Sequence, residues 1–262
     1  MSILIVIPAR YASSRFPGKP LELLKGATGV SKSLIERTWN TALQIEDIDR
    51  VVVATDDQRI KEASEAFGAE VVMTSSEARN GTERCAEVLT QLSESFDYVV
   101  NLQGDAPLTP PWFVSDLLDG LQNSPDAGVA TPVLKCSPSM LEDLREDRRA
   151  GRVGATTAVV SSEMQGLYFS KEVLPFGADG LDVPAFHHVG VYAYRPNALE
   201  SYAKMPESLL EQTEGLEQLR FLDAGLKVLC VEVDPKGRQF WELNNPQDVP
   251  KIESMMAQMN IA

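Results

Sequence analysis

The sequence predicts an α/β fold with a mostly parallel sheet. Strand-like apolar runs alternate with amphipathic helical patterns through the first half of the 262 residues, and short connections join them. The first run, Ile3–Ile7, has five consecutive apolar residues, which is typical of a strand buried on both faces. Alternating elements of this kind form right-handed β-α-β crossovers and place ligand sites beyond the carboxyl ends of the strands.

Four strands and two helices are predicted in the first half. The strands are expected at Ile3–Ile7, Val51–Ala54, Glu70–Met73 and Tyr98–Leu102. The first helix is indicated by a stripe made of Leu34, Ile35, Thr38, Trp39, Ala42 and Leu43. The second is indicated by Ile60, Ala63 and Phe67, and Gly68 is expected to end it.

The second half is less regular. We expect helices at Met140–Ala150 and Gly215–Gly225, and strands at Thr156–Val160, His188–Tyr194 and Lys227–Val233. The segment Gly177–Phe186 is rich in glycine, aspartate and proline and is predicted to be a loop. We therefore expect a single domain over residues 1–262 with a β-rich excursion at about 155–200.

The composition is strongly acidic, with 24 Lys and Arg, 38 Asp and Glu, and a formal net charge of −14. This charge argues against nucleic acid or an anionic membrane surface as the main partner. Cys85, Cys136 and Cys230 lack metal-ligand spacing and are expected to be buried thiols in a reducing compartment. Because neither a signal peptide nor a membrane span is indicated, we expect a soluble cytoplasmic protein.

The loop after the first strand concentrates positive charge in this acidic chain. Arg10, Arg15 and Lys19 follow Pro8, and Gly18 lies directly before Lys19. Three cations beyond the carboxyl end of a buried strand indicate a polyphosphate site, and the alternative is a basic surface turn. The loop is not a Walker A motif, because proline follows Lys19 where serine or threonine is required.

A second candidate site is the segment Asn101–Pro107, directly after the strand Tyr98–Leu102. It places Asp105 at the same edge of the sheet as the cationic loop. A carboxylate that faces a phosphate site is a natural Mg²⁺ ligand. The alternative is an ordinary Gly-Asp turn.

A third candidate is the segment Asn80–Arg84, which reads NGTER. Asn80 lies three residues before Glu83, which predicts a helix start of the capping-box type. The backbone donors of a helix start, together with Thr82 and Arg84, also suit recognition of a base or a phosphate. The structural and functional interpretations are compatible.

Six segments resemble the 3-deoxy-manno-octulosonate (Kdo) cytidylyltransferases, or CMP-Kdo synthetases. They cover nearly the whole chain in the family's order, and they are IPARYASSRFPGKPL, VVVATDDQRI, NGTERCAEV, VVNLQGDAPL, HHVGVYAYR and LEQLRFLDAGLKV. The resemblance implies a nucleotide-diphospho-sugar transferase fold, which is a Rossmann-like three-layer fold with a mixed, mostly parallel sheet. It also implies a small β-rich dimerisation region and a homodimer.

The resemblance assigns roles to the matched residues. Arg10, Arg15 and Lys19 are implied to hold the triphosphate, with Asp105 binding Mg²⁺. The pocket for CTP is implied to consist of Ala9, Arg10, Lys19, Asn80, Gly81, Thr82, Arg84 and Gln103. The residues implied to face the acidic sugar are His188, Tyr192, Glu217 and Gln218.

The residue pattern gives a separate expectation for the sugar-facing group. On a continuous strand, His188, Tyr192 and Tyr194 share one face. On the helix that follows, Glu214, Glu217 and Gln218 lie at positions i, i+3 and i+4 and share one face. The alternative for His188 is a histidine buried in the core.

The chain departs from the family pattern at three places. Ala106 stands where the family usually has glutamate, and Thr156–Val159 stands where it often has Val-Lys-Val. Asn244 stands where an aspartate normally completes the metal site, and it offers a neutral carbonyl oxygen instead, so we predict weaker Mg²⁺ affinity. Asn245 and Pro246 alternatively mark a helix start, and both interpretations can hold.

The implied reaction is attack by the anomeric hydroxyl of a 3-deoxy-2-ulosonic acid, such as Kdo, on the α-phosphorus of CTP, for lipopolysaccharide or capsule synthesis. Positioning and charge neutralisation supply most of the catalysis in such transfers. The alternatives are the same chemistry on an amino-substituted or sialic-acid-like sugar, or a non-catalytic nucleotide-binding regulator. A nicotinamide-dependent dehydrogenase is disfavoured, because no G-x-G-x-x-G follows the first strand.

Overall fold

The computed structural model describes residues 1–13, 16–152, 155–177 and 184–262. Its strands are β1 (Ile3–Ala9), β2 (Leu23–Lys25), β3 (Ser31–Ser33), β4 (Arg50–Thr55), β5 (Val71–Met73), β6 (Tyr98–Leu102), β7 (Val129–Lys135), β8 (Thr156–Val160), β9 (Gly166–Ser170), β10 (Phe186–His188), β11 (Val191–Tyr194) and β12 (Val228–Glu232). Its α-helices are α1 (Leu34–Ala42), α2 (Gln58–Ala66), α3 (Gly81–Gln91), α4 (Pro111–Asn123), α5 (Pro138–Arg149), α6 (Pro196–Lys204), α7 (Leu209–Glu214), α8 (Leu219–Asp223) and α9 (Val249–Gln258).

The chain divides into two units. Unit 1 comprises Met1–Ser115 and Pro235–Ala262, and unit 2 comprises Asp116–Asp234. Both units contain helices and strands, so the predicted α/β class is confirmed. The expected dimerisation role of residues 155–200 stays a prediction.

The sheet of unit 1 has the order β5-β4-β1-β6, and all of its strand pairs are parallel. Every residue from Ile3 to Ile7 is buried, as expected for a strand covered on both faces. The register pairs Ala9 with Thr55 and Val6 with Asn101. The carboxyl ends of β1, β4 and β6 therefore meet at one edge of the sheet. The four strands predicted in the first half of the chain are confirmed as β1, β4, β5 and β6.

The helices of unit 1 begin and end with ordinary capping interactions. The Ser33 hydroxyl accepts a hydrogen bond from the backbone N–H of Glu36 at the start of α1. After α2, Gly68 has φ +88° and its N–H donates to the carbonyl of Glu65, as predicted for a helix-ending glycine.

A small hairpin and the last helix complete unit 1. Strands β2 and β3 pair antiparallel, with Leu24 opposite Lys32. Leu24 packs in a buried cluster whose other members are Leu34, Leu108, Leu243, Ile252 and Met256. This cluster anchors the segment before α9, which carries Asn244, to the rest of unit 1.

Unit 2 is organised around β7. Strands β10 and β11 pair with β7 antiparallel, whereas β12 pairs with it in parallel. Beyond β10 the sheet continues through β8 to β9, again antiparallel. The predicted helix at Met140–Ala150 is α5, which begins after its cap Ser137, and Val153 and Gly154 lie outside the described residues.

The continuous strand predicted at His188–Tyr194 is wrong. The chain forms β10 and β11 instead, because Val189 and Gly190 leave the ladder at a tight turn in which the Val191 N–H donates to the Val189 carbonyl at 2.8 Å. The Thr131 hydroxyl of β7 lies within 3.2 Å of the Val189 and Val191 carbonyl oxygens, which fixes the interruption.

The single helix predicted at Gly215–Gly225 is also wrong. Gly215 adopts φ +64° and ends α7, with its N–H donating to the Glu211 carbonyl at 2.6 Å. The chain then turns before α8 begins at Leu219. Glu214 and Glu217 therefore do not share one helix face.

The cysteines of the described residues are free thiols; Cys85 and Cys230 are buried as expected, whereas Cys136 is only partly buried. Burial raises the pKa of Cys230 to about 12 and that of Cys136 to about 11, so both stay protonated at neutral pH. Within the described ranges, no helix has both the length and the apolar character needed to cross a bilayer.

Candidate active site

The cationic loop begins where β1 ends at the buried residue Ala9. The guanidinium of Arg10 donates to the Arg79 carbonyl at 3.4 Å, just before α3. The loop closes where the Gly18 N–H donates to the Tyr11 carbonyl at 2.9 Å. Lys19 then starts a short 3₁₀ helix. The predicted triphosphate ligand Arg15 lies outside the described residues.

Lys19 and Asp105 form an ion pair at the sheet edge, with 2.7 Å between Nζ and Oδ2. Their side chains are 17% and 23% exposed, so both groups keep access to solvent. The turn that carries Asp105 crosses close to β1, because a Cβ atom on Gly104 would lie 3.0 Å from the Pro8 carbonyl oxygen. The structure thus brings together the first two motifs that the sequence singles out.

The start of α3 shows the predicted cap. The side-chain oxygen of Asn80 accepts a hydrogen bond from the Glu83 N–H at 2.9 Å, while Thr82 is buried. Arg84 is buried too, with a hydrogen bond to the Thr74 hydroxyl and an ion pair to Asp56 at 3.4 Å. Arg84 therefore has protein partners, and its predicted role toward CTP stays a prediction.

Burial lowers the pKa of Arg84, although the Asp56 carboxylate opposes this change. Asp56 comes from the segment directly after β4, which sequence reasoning did not single out as a site. The sequence did carry one signal for Asp56, which is that two consecutive aspartates, Asp56 and Asp57, directly follow a predicted strand. A buried cation needs such a partner, so Asp56 is the counter-charge of Arg84, one of the residues predicted to line the CTP pocket.

Asn101, near the carboxyl end of β6, opens the second predicted segment, although sequence reasoning gave it no role of its own. It is fully buried, and neither polar atom of its amide has a hydrogen-bond partner within the described part of the chain. A Cβ atom on Gly81 would lie 2.8 Å from the Asn101 Nδ2 atom. The amide therefore lies directly against the first residue of α3. Gln103, predicted to line the CTP pocket, follows two residues later and is partly buried.

Asn244 lies in the segment that runs beside Asp105. The Leu243 N–H donates to the Asp105 carbonyl at 2.9 Å, and the Leu243 side chain is buried. The Asn244 amide nitrogen lies 3.4 Å from a carboxylate oxygen of Glu242. Asn245 and Asp248 form a capping box around the next turn, so the helix-start interpretation is confirmed.

The donor chemistry around Asp105 suits a hard cation. Asp105 offers a carboxylate and Asn244 offers a carbonyl oxygen, and Mg²⁺ usually takes one or two carboxylates together with phosphate oxygens. Within residues 1–13, 16–152, 155–177 and 184–262, no group of three or more His, Cys, Asp or Glu side chains is placed to hold a metal by itself. Asp105 and Asn244 would therefore hold a metal only together with phosphate oxygens of a substrate.

The predicted sugar-facing residues lie in unit 2. His188 and Tyr192 are buried with 5.6 Å between their ring centroids, despite the interruption between β10 and β11. The Tyr192 hydroxyl donates to the side-chain oxygen of Gln218 at 3.1 Å. Gln218 is buried, and its Nε2 donor has no hydrogen-bond partner among the residues that the structure describes. The structure thus groups three of the four predicted residues.

The backbone of Glu217, the fourth predicted residue, contacts Tyr202. The Tyr202 hydroxyl lies 3.2 Å from the Glu217 carbonyl oxygen and 3.2 Å from a Glu211 carboxylate oxygen, and these two acceptors share its one proton. Glu214, one residue before the helix-ending glycine, instead accepts from the Ser170 hydroxyl at 2.7 Å and the Lys171 N–H at 3.0 Å. Glu214 therefore holds α7 against the end of β9.

The two histidines of the chain are buried and neutral at physiological pH. Burial lowers the pKa of His187 to about 4, with the Arg148 cation acting in the same direction. Burial, with a contribution from His187, lowers the pKa of His188 to about 3. The Thr131 hydroxyl lies 2.8 Å from both the Val191 carbonyl and the His188 Nε2 atom. The Thr131 hydroxyl gives its proton to a carbonyl, so its oxygen accepts a hydrogen bond from His188 Nε2–H. The Nδ1 atom of His188 is then an acceptor.

Mild acid is expected to destabilise the fold through His187 and His188. Their folded pKa values lie below the ordinary 6.5, so the unfolded chain binds more protons and the free energy of unfolding falls as the pH falls through 6.5. We expect a loss of roughly 1 kcal/mol per histidine between pH 7 and pH 5.5. Urea unfolding at the two pH values measures it.

Replacing both His187 and His188 with asparagine should flatten this dependence, because carboxylates ordinarily titrate at lower pH. The single change His187→Asn should remove about half of it. An equally steep dependence in the single and double variants would contradict the assignment.

The chain is similar to known proteins over nearly its full length. The sequence profile of a family described as cytidylyltransferase matches residues 4–228. A 3-deoxy-manno-octulosonate cytidylyltransferase of Maricaulis maris is 42% identical over 258 residues, which cover 98% of both chains. An 8-amino-3,8-dideoxy-manno-octulosonate cytidylyltransferase of Shewanella piezotolerans is 38% identical, covering 98% of this chain and 99% of the relative.

A solved structure of CMP:2-keto-3-deoxy-manno-octonic acid synthetase complexed with CTP is similar throughout. It superposes with a TM-score of 0.85 at 36% identity, covering 99% of this chain and 100% of that chain. Both the sequence and the fold are thus matched over nearly the full length. The chain belongs to the 3-deoxy-manno-octulosonate cytidylyltransferase family of nucleotidyltransferases.

Proposed function

We propose that this enzyme transfers a cytidylyl group from CTP to Kdo, giving CMP-Kdo and pyrophosphate. The anomeric hydroxyl oxygen forms a bond to the α-phosphorus and loses its proton to solvent water. The bond from the α-phosphorus to the oxygen that bridges to the β-phosphorus breaks, and its electron pair leaves with pyrophosphate. The pairing of Lys19 with Asp105 at the carboxyl edge of the sheet in unit 1 carries the proposal.

Unit 1 binds CTP in this proposal. Arg10 and Lys19 lie at the two ends of the loop and offset negative charge on the departing pyrophosphate. Arg15 shares this role by resemblance. The cap Asn80, with Gly81 and the rest of the first turn of α3, lines the nucleoside pocket together with Gln103. Asn101 supports the first turn of α3, since its amide packs against Gly81.

Unit 2 binds the sugar acid. Neutral His188 presents an Nδ1 acceptor, which suits a sugar hydroxyl better than a carboxylate. The Nε2 group of Gln218 is a donor without a partner among the described residues, so it suits an oxygen of the sugar. Tyr192 holds Gln218 in this orientation through its hydroxyl.

Mg²⁺ is the cofactor in this proposal, held by Asp105 and Asn244. When bound, it supplies positive charge next to the phosphate oxygens of CTP. Lys19 already lies against Oδ2 of Asp105, so the ammonium keeps this carboxylate oriented before substrate arrives. Asn244 contributes an oxygen without contributing charge, which is the basis for expecting weak metal binding.

The change Asn244→Asp is expected to strengthen Mg²⁺ binding, because it adds a negative charge beside Asp105. The Mg²⁺ concentration that gives half-maximal rate should fall by about tenfold at saturating CTP. Asn245→Asp is the matched control, because that neighbouring residue caps the next turn. An unchanged metal dependence in the Asn244 variant would remove Asn244 from the proposed metal site.

Parallel incubation of the enzyme with CTP, Mg²⁺ and a panel of sugar acids tests the function. The panel contains Kdo, 8-amino-3,8-dideoxy-manno-octulosonate and a sialic acid, and pyrophosphate release is measured. Kdo is expected to give the highest kcat/KM. The second candidate is the amino sugar, because the Shewanella piezotolerans relative carries that name. If CTP binds and no sugar acid is turned over, the proposed function fails.

The wider setting also belongs to the proposal. The enzyme would act in the cytoplasm as a homodimer, and it would supply its product to lipopolysaccharide or capsule synthesis. Two exposed apolar side chains within residues 155–200, Leu167 and Phe176, support an interface in the predicted dimerisation region. Sedimentation equilibrium of the purified protein measures the oligomeric state.

A further inference from the structure

Tyr11, a residue of the cationic loop, contacts Arg59 of α2, and sequence reasoning predicted neither as a site residue. The Cζ atom of Arg59 lies over the Tyr11 ring at 3.3 Å from its centroid. Gly18 contacts the same ring so closely that a Cβ atom would lie 3.1 Å from Cε2, Cζ and the hydroxyl oxygen of Tyr11. We call the arrangement of Tyr11, Gly18 and Arg59 the Tyr11 stack.

The Tyr11 stack lies at the point where the loop closes on itself. The Gly18 N–H donates to the Tyr11 carbonyl at 2.9 Å, and Gly18 has φ +75°, which favours glycine. Arg10 directly precedes Tyr11, and Lys19 directly follows Gly18. The closure therefore holds the backbones of the two cations at a set separation.

Arg59 is itself held in place by Asp57, the residue that caps α2. Its Nε and Nη2 atoms donate to the two Asp57 carboxylate oxygens at 3.0 and 2.7 Å. The Asp57 N–H donates to the Thr55 hydroxyl at 3.2 Å, at the carboxyl end of β4. Asp57 thus holds the Arg59 guanidinium at the end of β4. The contact of this guanidinium with Tyr11 then holds the loop against the same strand end.

We propose that the Tyr11 stack positions Arg10 and Lys19 for the triphosphate of CTP. The proposal rests on the proposed function, which places these two cations on the phosphates. Long cationic side chains on an open loop lose conformational freedom when they bind, and a loop closed in advance loses less. Tyr11 and Arg59 are positioning residues in this proposal, because they act through the loop that carries the two cations.

The change Arg59→Gln tests this role, since the Arg59 side chain is 58% exposed and its loss is compatible with folding. We expect the dissociation constants of CTP and inorganic tripolyphosphate to rise about two- to fivefold, as for loss of an exposed cation–π contact. The dissociation constant of CMP, which lacks the β- and γ-phosphates, should not change. Isothermal titration calorimetry measures all three.

Two Tyr11 variants separate the ring from its hydroxyl. Tyr11→Phe keeps the ring and should bind CTP as the wild type does. Tyr11→Leu loses the contacts to both Gly18 and Arg59, so it should lose at least as much CTP affinity as Arg59→Gln. If Tyr11→Leu fails to fold, the Arg59 result alone decides.

Lys61→Gln is the matched control, because it removes one positive charge from the same helix. Lys61 pairs with Glu65 at 3.9 Å rather than with the loop. Three results would each overturn the proposal. The Arg59 and Lys61 changes could weaken CTP binding equally, or Arg59→Gln could weaken CTP and CMP binding equally. Arg59→Gln could also leave CTP binding unchanged. Wild-type protein that binds CTP but turns over no sugar acid would overturn the proposed function instead.

Discussion

Replacing Lys19 with methionine is expected to lower kcat/KM for CTP by about 10²- to 10³-fold, the usual cost of removing one preorganised charge-stabilising group. Methionine keeps the length of the side chain and removes the ammonium that pairs with Asp105 at 2.7 Å. The departing pyrophosphate then loses a cation, and the Asp105 carboxylate loses the group that orients it. Steady-state rates of pyrophosphate release with CTP varied measure the effect.

The same change should alter the free energy of unfolding by about 1 kcal/mol or less, because the pair is accessible to solvent. Lys32→Met is the matched control, since Lys32 pairs with Glu36 at 3.9 Å in the same unit. An activity of the Lys19 variant equal to that of the Lys32 variant would contradict the proposed role of Lys19.

The parts of the fold that were predicted correctly are those with a strong local signal. Ile3–Ile7 is apolar at every position, and such a run forms a fully buried strand whatever packs around it. Gly68 and Asn80 were predictable as helix ends, because a positive φ and a side-chain cap are properties of one residue and its nearest neighbours.

The two wrong predictions in unit 2 come from interactions across the structure and from one backbone angle. The break between β10 and β11 depends on Thr131, a residue of another strand, whose hydroxyl lies near the carbonyls of Val189 and Val191. The end of α7 depends on Gly215, which was expected to start a helix and instead adopts a positive φ. Periodicity alone identifies neither event.

The candidate site was predicted in part, for a similar reason. The sheet edge joins Lys19 to Asp105, and this follows from the rule that parallel strands present their carboxyl ends together. The supports of that site, such as the contacts of Tyr11 with Arg59 and of Arg84 with Asp56, link segments far apart in sequence. A single sequence carries no signal for such pairs.

Replacing Glu211 with glutamine is expected to destabilise the protein by about 3–5 kcal/mol, because it leaves a buried arginine without its counter-charge. The Nε and Nη2 atoms of Arg220 donate to the Glu211 carboxylate at 2.6 and 2.7 Å, and both side chains are buried. The Tyr202 hydroxyl lies 3.2 Å from this carboxylate and 3.2 Å from the Glu217 carbonyl oxygen, so both groups share its proton. Urea unfolding measures the loss, and KM for the sugar acid should rise while KM for CTP stays constant.

Arg149→Gln is the control, because Arg149 and Glu142 form a pair in the same unit whose side chains are 67% and 60% exposed. That change should lower the free energy of unfolding by no more than about 0.5 kcal/mol. Replacing Glu211 and Arg220 together with methionine should recover much of the stability, since an apolar pair leaves no buried charge. A double variant as unstable as Glu211→Gln would show that packing, and not the unpaired charge, sets the cost.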